Sequence, residues 1–168
     1  PTKARSLEVV VFDDDTATAD SFKVEWNDDR RRWEIPSHSN YPTDAEDQLA
    51  TTAGSIISIT KKGVQTPRET EHERYGVIDP LADSSKPLKG RGDRIKLLDE
   101  SGSTLADLII GNRVEGVQGA GNTDLYYVRD PRFNTVYRAS LKIELSTKFA
   151  DWIEDDLLKL EGDDITHV

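Results

Sequence analysis

Apolar and polar positions alternate along the first part of the chain: Leu7, Val9 and Val11 around Glu8, then Phe22, Val24 and Trp26, then Trp33-Glu34-Ile35. A period of two puts every second side chain on one face of an extended strand, so these runs predict an antiparallel β meander. The acidic residues 13–20 and the charged residues 27–32 fall between the runs and read as hairpin tips. The period then lengthens. Ala45, Leu49, Ala53, Ile56 and Ile57 recur at helical spacing behind the capping box Thr43-x-x-Glu46, which predicts a main helix over about 44–58. Thr66, Pro67 and Glu69 signal a second start, and Gly76 a left-handed stop, so a short helix is predicted over about 67–75. Residues 79–90, rich in Pro, Ser and Asp, read as a loop.

Alternation resumes at Ile95 and Leu97 and again over 105–110, with a turn at 99–102. A glycine-rich loop is expected over 111–122, followed by strands at 125–129 and 135–139, making two hairpins. Ser146 starts a C-terminal helical segment over about 147–158 carrying Phe149, Trp152 and Ile153, and residues 165–168 have strand character. Strand-rich segments flanking helices give an α+β class with antiparallel sheet, not a doubly wound parallel one.

The length of 168 residues suits one α+β domain spanning 1–168, with a division into two lobes, about 1–64 and 90–168, left open. Aspartate and glutamate outnumber lysine and arginine, 32 to 22, for a formal charge of -10, which argues against nucleic acid and against an anionic membrane surface as partners. The absence of cysteine removes disulfides, thiol nucleophiles and cysteine metal sites. No apolar run approaches the roughly 18 residues of a membrane span. Because the chain opens on Pro1 without a signal-peptide pattern, it is expected to be trimmed from a longer protein, with any membrane anchor upstream.

Chemistry-bearing patterns are sparse. His38, His72 and His167 lack metal-ligand spacing; His72 between Glu71 and Glu73 reads as an exposed helix surface. Asp13, Asp14, Asp15 and Asp20 fail the calcium-loop pattern, because Thr18 stands where glycine and Val24 where glutamate would be needed. Gly116, Gly119 and Gly121 precede a strand, whereas a phosphate loop opens a helix. Ser58-Ile59-Thr60-Lys61 lacks the companion motifs of a penicillin-binding enzyme, and Arg91-Gly92-Asp93 reads as the turn into the strand at Ile95. No catalytic residue, cofactor or metal is expected. Weak binding candidates are Trp33, His38 and Tyr41, in an aromatic, proline-bearing stretch, together with Arg91. Trp33 also suits the buried face of the meander.

Several short motifs come in a distinctive order: Trp33-x-Ile35-Pro36-Ser37, Tyr41-Pro42-x-Asp44-Ala45-Glu46, Arg74-Tyr75-Gly76-Val77-x-Asp79-Pro80 and Gly90-Arg91-Gly92. They continue with residues 105–111, Tyr127-Val128-Arg129 and Leu145-Ser146-Thr147-Lys148-Phe149-x-Asp151-Trp152. On these the chain, from about Leu7 to Val168, resembles the DUF4340 family, extracytoplasmic proteins found with gliding-motility-type ABC transporters. The resemblance implies a bacterial, membrane-anchored protein in which such units recur, with transporter subunits or other envelope proteins as partners. It supplies no catalytic residues, and it suits structural roles for Gly76 as helix stop, Gly111 as loop entry and Trp152 as core anchor. The expected function is that of a non-catalytic accessory or interaction domain. The alternative is a small-ligand domain for a glycan or peptide, and a hydrolase with dispersed carboxylates ranks last.

Overall fold

The structure, a computed structural model, describes residues 4–43, 49–50, 52, 54, 56, 59–118, 124–141 and 145–153. Its frame is a sheet of nine strands: β1 Ala4–Asp13, β2 Thr18–Asn27, β3 Arg32–Ile35, β4 Tyr41–Pro42, β5 Thr60–Thr66, β6 Asp93–Asp99, β7 Thr104–Gln118, β8 Asp124–Arg129 and β9 Val136–Leu141. They lie in the order β4-β3-β2-β1-β6-β7-β8-β9-β5, and the paired strands run antiparallel. The expected meander is β1 to β4 and the expected hairpins are β6 to β9. Pairing of β1 with β6 makes them one sheet.

The period of two sorts the side chains onto two faces. On the first face, registers Phe22↔Val9, Val9↔Ile95 and Ile95↔Leu108 run an unbroken apolar row across four strands. Leu7, Val24 and Leu97 form a neighbouring row. This face is the main core, completed by Ile35, Val128 and Ala139 and covered by Leu49, Ile56 and Trp152. On the reverse face, registers Val10↔Arg94, Arg94↔Ile109, Ile109↔Arg129 and Arg129↔Val136 align a second row. Its core is smaller: Ile109 and Val136 with Tyr75 and Val77. Two arginines thus stand on this row on either side of Ile109.

The class is α+β with the sheet dominant, and the helices differ from expectation. Residues 49, 50, 52, 54 and 56 are helical, and Leu49 and Ile56 are buried as the apolar stripe requires. Ala45, Glu46, Ala53 and Ile57 lie outside the described residues. Thr43 is buried, with its hydroxyl donating to the Trp152 carbonyl. The second helix is shorter than predicted. It is a 3-10 turn, Glu69–Glu71, continued by one α turn, His72–Tyr75, and it stops at Gly76 (φ 68°) as foreseen. Thr66 bonds Glu71 rather than pairing with Glu69, and its oxygen accepts the Arg68 N–H at 3.2 Å. The C-terminal segment is a 3-10 turn, Phe149–Trp152, with Trp152 buried in the main core, and 154–168 lie outside the described residues.

The expected glycine-rich loop at 111–122 is strand as far as it is described: β7 runs through Gly111 to Gln118, and 119–122 lie outside the described residues. A Cβ on Gly111 would meet the Tyr75 carbonyl oxygen at 2.3 Å, and one on Gly92 would meet the Gly76 carbonyl oxygen at 2.5 Å. Gly111 is therefore not a loop entry. With Gly92 it lets the end of the short helix lie directly on the reverse face of the sheet.

Candidate functional site

The chain leaving Gly76 crosses the reverse face and returns as a loop that closes on itself. Ile78 donates to the Gly90 carbonyl at 3.0 Å, and Gly92 donates back to Ile78 at 2.9 Å. Arg91 pins the loop from inside. Its Nε donates to the Pro87 carbonyl at 3.1 Å, Nη1 to Pro80 at 3.0 Å, and Nη2 to Asp83 at 3.1 Å. The guanidinium also lies over the Phe12 ring, 5.6 Å from its centre. Between this loop, the short helix and the β8–β9 turn lies a cavity of about 480 Å³, within the range of small-ligand sites. Glu69, His72, Asp79, Lys86, Arg129 and Asn134 are among its lining residues.

Arg129 dominates the chemistry. Only 6% of it is exposed. Its Nε donates to the Val77 carbonyl at 2.9 Å, and its Nη1 to the carbonyls of Pro131 at 3.3 Å and Phe133 at 3.1 Å. These account for three of the five guanidinium donors. Nη2 has no acceptor among the described residues, nor does any carboxylate form an ion pair with Arg129 there. Burial lowers its pKa, which Asp79 and Glu69 partly offset. Both of those carboxylates are engaged elsewhere. Asp79 pairs with Arg94 at 2.9 Å and accepts the Leu81 N–H; Glu69 pairs with Lys86. Arg94, the other arginine of the row, is bonded to carboxylates, since Asp107 takes its Nε and Nη2 at 2.9 and 2.8 Å and Asp79 its Nη1 at 2.9 Å.

His72 is a correction to the sequence reading. It is not on an exposed surface but buried, with Nε2 2.8 Å from the Asn134 carbonyl. A carbonyl only accepts, so Nε2 carries the proton and the neutral ring keeps Nδ1 as an acceptor. Desolvation is the larger influence on the ring and lowers its pKa; the Asn134 bond raises it by less.

The four sequence candidates do not converge. Trp33 is half-buried against the main core and meets Trp26 edge-on at 6.0 Å. His38 stacks on Phe149 at 4.2 Å, and Tyr41 meets the same ring at 5.4 Å, so these two share an aromatic cluster on the first face. Arg91 stands across the sheet in the loop. It lines a second cavity of about 450 Å³ with Arg74, Lys89 and Glu73; Trp33, His38 and Tyr41 line neither cavity. Arg129 was missed, although a signal existed: Leu125, Tyr127 and Arg129 form one alternating face, and a charge closing an inward set calls for a partner.

Among the described residues, no three His, Asp or Glu side chains gather as a metal would need, and no helix is long and apolar enough to cross a membrane. No curated protein and no solved structure matches the chain. A family model does match, over residues 33–168, beginning in β3 and leaving the β1–β2 hairpin outside the matched span. That span covers most of the sequence, and the chain belongs to the family described as domain of unknown function (DUF4340).

Proposed function

We propose that this domain is a non-catalytic accessory module, an extracytoplasmic part of a membrane-anchored protein that docks on subunits of an ABC-type transport system. The setting is the one the sequence resemblance implies. The observation that carries the docking role is a group of three exposed apolar side chains around one recess, apart from Tyr41, Val64 and Leu105 on the strands. Leu81 (56% exposed) and Leu88 (55%) sit on the loop over the reverse face, and Phe133 (60%) sits on the β8–β9 turn. These are the two loops that wall the Arg129 cavity. Exposed apolar groups around a concave centre with a charged anchor are the makings of a protein contact.

The test is affinity capture from detergent-solubilised envelopes, comparing wild type with a triple variant, Leu81→Ser, Leu88→Ser and Phe133→Ser. The three side chains are exposed, so the variant keeps its fold. Transporter permease or ATPase subunits are expected with wild type and lost with the variant. Equal recovery by both, or background proteins alone, overturns the docking reading.

The cavity favours a second reading, a small-ligand domain. Its volume suits a short peptide or a similar small molecule, and its walls mix apolar surface with a few fixed polar groups.

A further inference from the structure

We infer that the reverse-face cavity is a carboxylate-binding site, with Arg129 as the residue that receives the anion and a preference for ligands carrying a single negative charge. The inference rests on the small-ligand reading and gives it a chemical class.

A buried guanidinium with no carboxylate bonded to it is costly, and folded proteins ordinarily answer it with one, as Arg94 is answered here by Asp79 and Asp107, whereas Asp79 and Glu69 act on Arg129 only from a distance. Arg129 stands on the same cross-strand row, yet the acceptors it has among the described residues are carbonyl oxygens only. Those three bonds fix the plane of the guanidinium. They leave Nη2, with two N–H groups, without an acceptor among the described residues on a side chain that lines the cavity. Each Nη2 N–H can donate to one oxygen of an anion, and a charge-assisted bond inside a recess is worth more than one in bulk water.

The remaining lining selects among anions. Lys86 is held by Glu69, so it is not free as a second cation. Of the three wall carboxylates, Glu69 and Asp79 are paired with Lys86 and Arg94, and Glu73, with no ion pair among the described residues, adds a negative charge to the wall. A doubly charged phosphate would meet that field with one available guanidinium, whereas a carboxylate brings one charge to one cation. Pro87, Pro131 and Ile78 provide apolar wall for the rest of the ligand. The carboxylate can come from a free small acid or from the end of a peptide chain.

The experiment is a titration of the ¹⁵N-labelled 168-residue chain followed by amide chemical shifts. The probes are N-acetylglycine, its neutral isostere N-acetylglycinamide, inorganic phosphate, and an N-acetylated tripeptide with a free C-terminus. Saturable shifts at Val77, Phe133 and Asn134 are expected with N-acetylglycine, at about tenfold higher affinity than with the amide. Phosphate is expected to bind more weakly than N-acetylglycine. Arg129→Gln abolishes the response. Because that change also removes bonds to three carbonyls, Ala82→Leu serves as the second variant. It narrows the cavity without touching Arg129 and is expected to abolish binding in a folded protein. Tighter binding of the tripeptide assigns a chain end as the source, and equal affinity assigns a free small acid. Equal affinity for the amide, or tighter phosphate binding, overturns the carboxylate assignment while the small-ligand reading stands. Shifts that persist in Ala82→Leu place the ligand elsewhere. No saturable shift with any probe overturns both.

Discussion

Glu34 shows how burial and partners compete at one side chain. It is 3% exposed, and its carboxylate accepts bonds from Asn27 at 2.8 Å, Arg32 at 2.8 Å and Arg30 at 3.1 Å. Desolvation pushes its pKa up, but the bonds from Arg32, Asn27 and Arg30 together outweigh it and bring the value down to about 2. The folded state thus holds the ionised form more tightly than the unfolded chain, whose carboxyl titrates near 4.5. Glu34 stabilises the fold above that value, and the contribution is lost as pH falls from about 4.5 towards 2. Urea midpoints measured across this window are expected to fall with acid in wild type and to fall less steeply in Glu34→Gln. Parallel profiles would remove Glu34 as the cause. The bonding of Glu34 was partly legible, because the basic run Arg30-Arg31-Arg32 sits beside it at a hairpin tip. Arg129 was harder to see. Its partners are backbone carbonyls of residues 77, 131 and 133, and no side-chain pattern announces a carbonyl.

Among the elements, the strands of the meander and of the hairpins were the most readable, since alternation is a local property that survives in the sequence. The short helix was recognised from Thr66, Pro67 and Gly76, but only one α turn forms. Glycine misled at Gly111. A glycine-rich run suggests a loop, yet here the missing Cβ serves close approach of the Tyr75 carbonyl to the middle of β7. Gly111→Ala must displace either the strand or the helix end. We expect a loss of about 1–3 kcal/mol in denaturant unfolding, the usual cost of overpacking. Because the same crossing places Val77 over Arg129, the variant is also expected to weaken any ligand of the cavity. Unchanged stability would mean that the helix end is not pressed on the sheet.

At the scale of the whole molecule, the sheet joins segments that the sequence leaves separate. Pairing of β1 with β6 and of β5 with β9 links residues far apart in the chain, and no local pattern encodes such partners. The edges are recognisable in retrospect. β5 is largely exposed, carries Lys61 and Lys62, and twice shifts register against β9, features that discourage further strand addition. At the β1–β6 seam, Leu97 is fully buried opposite Leu7. Leu97→Ala is expected to cost about 2–5 kcal/mol while keeping a single unfolding transition, because the main core spans the seam. Two separate transitions would contradict that continuity. The two faces have different duties: the first holds the main core, and the reverse face carries a pinned loop beside a guanidinium whose Nη2 has no acceptor among the described residues. The most direct test is a crystal structure of the chain grown with N-acetylglycine. The ligand's carboxylate is expected within hydrogen-bond distance of Arg129 Nη2, with the bonds to Val77, Pro131 and Phe133 intact. An empty cavity, with one of the protein's own carboxylates turned onto Nη2, would contradict it.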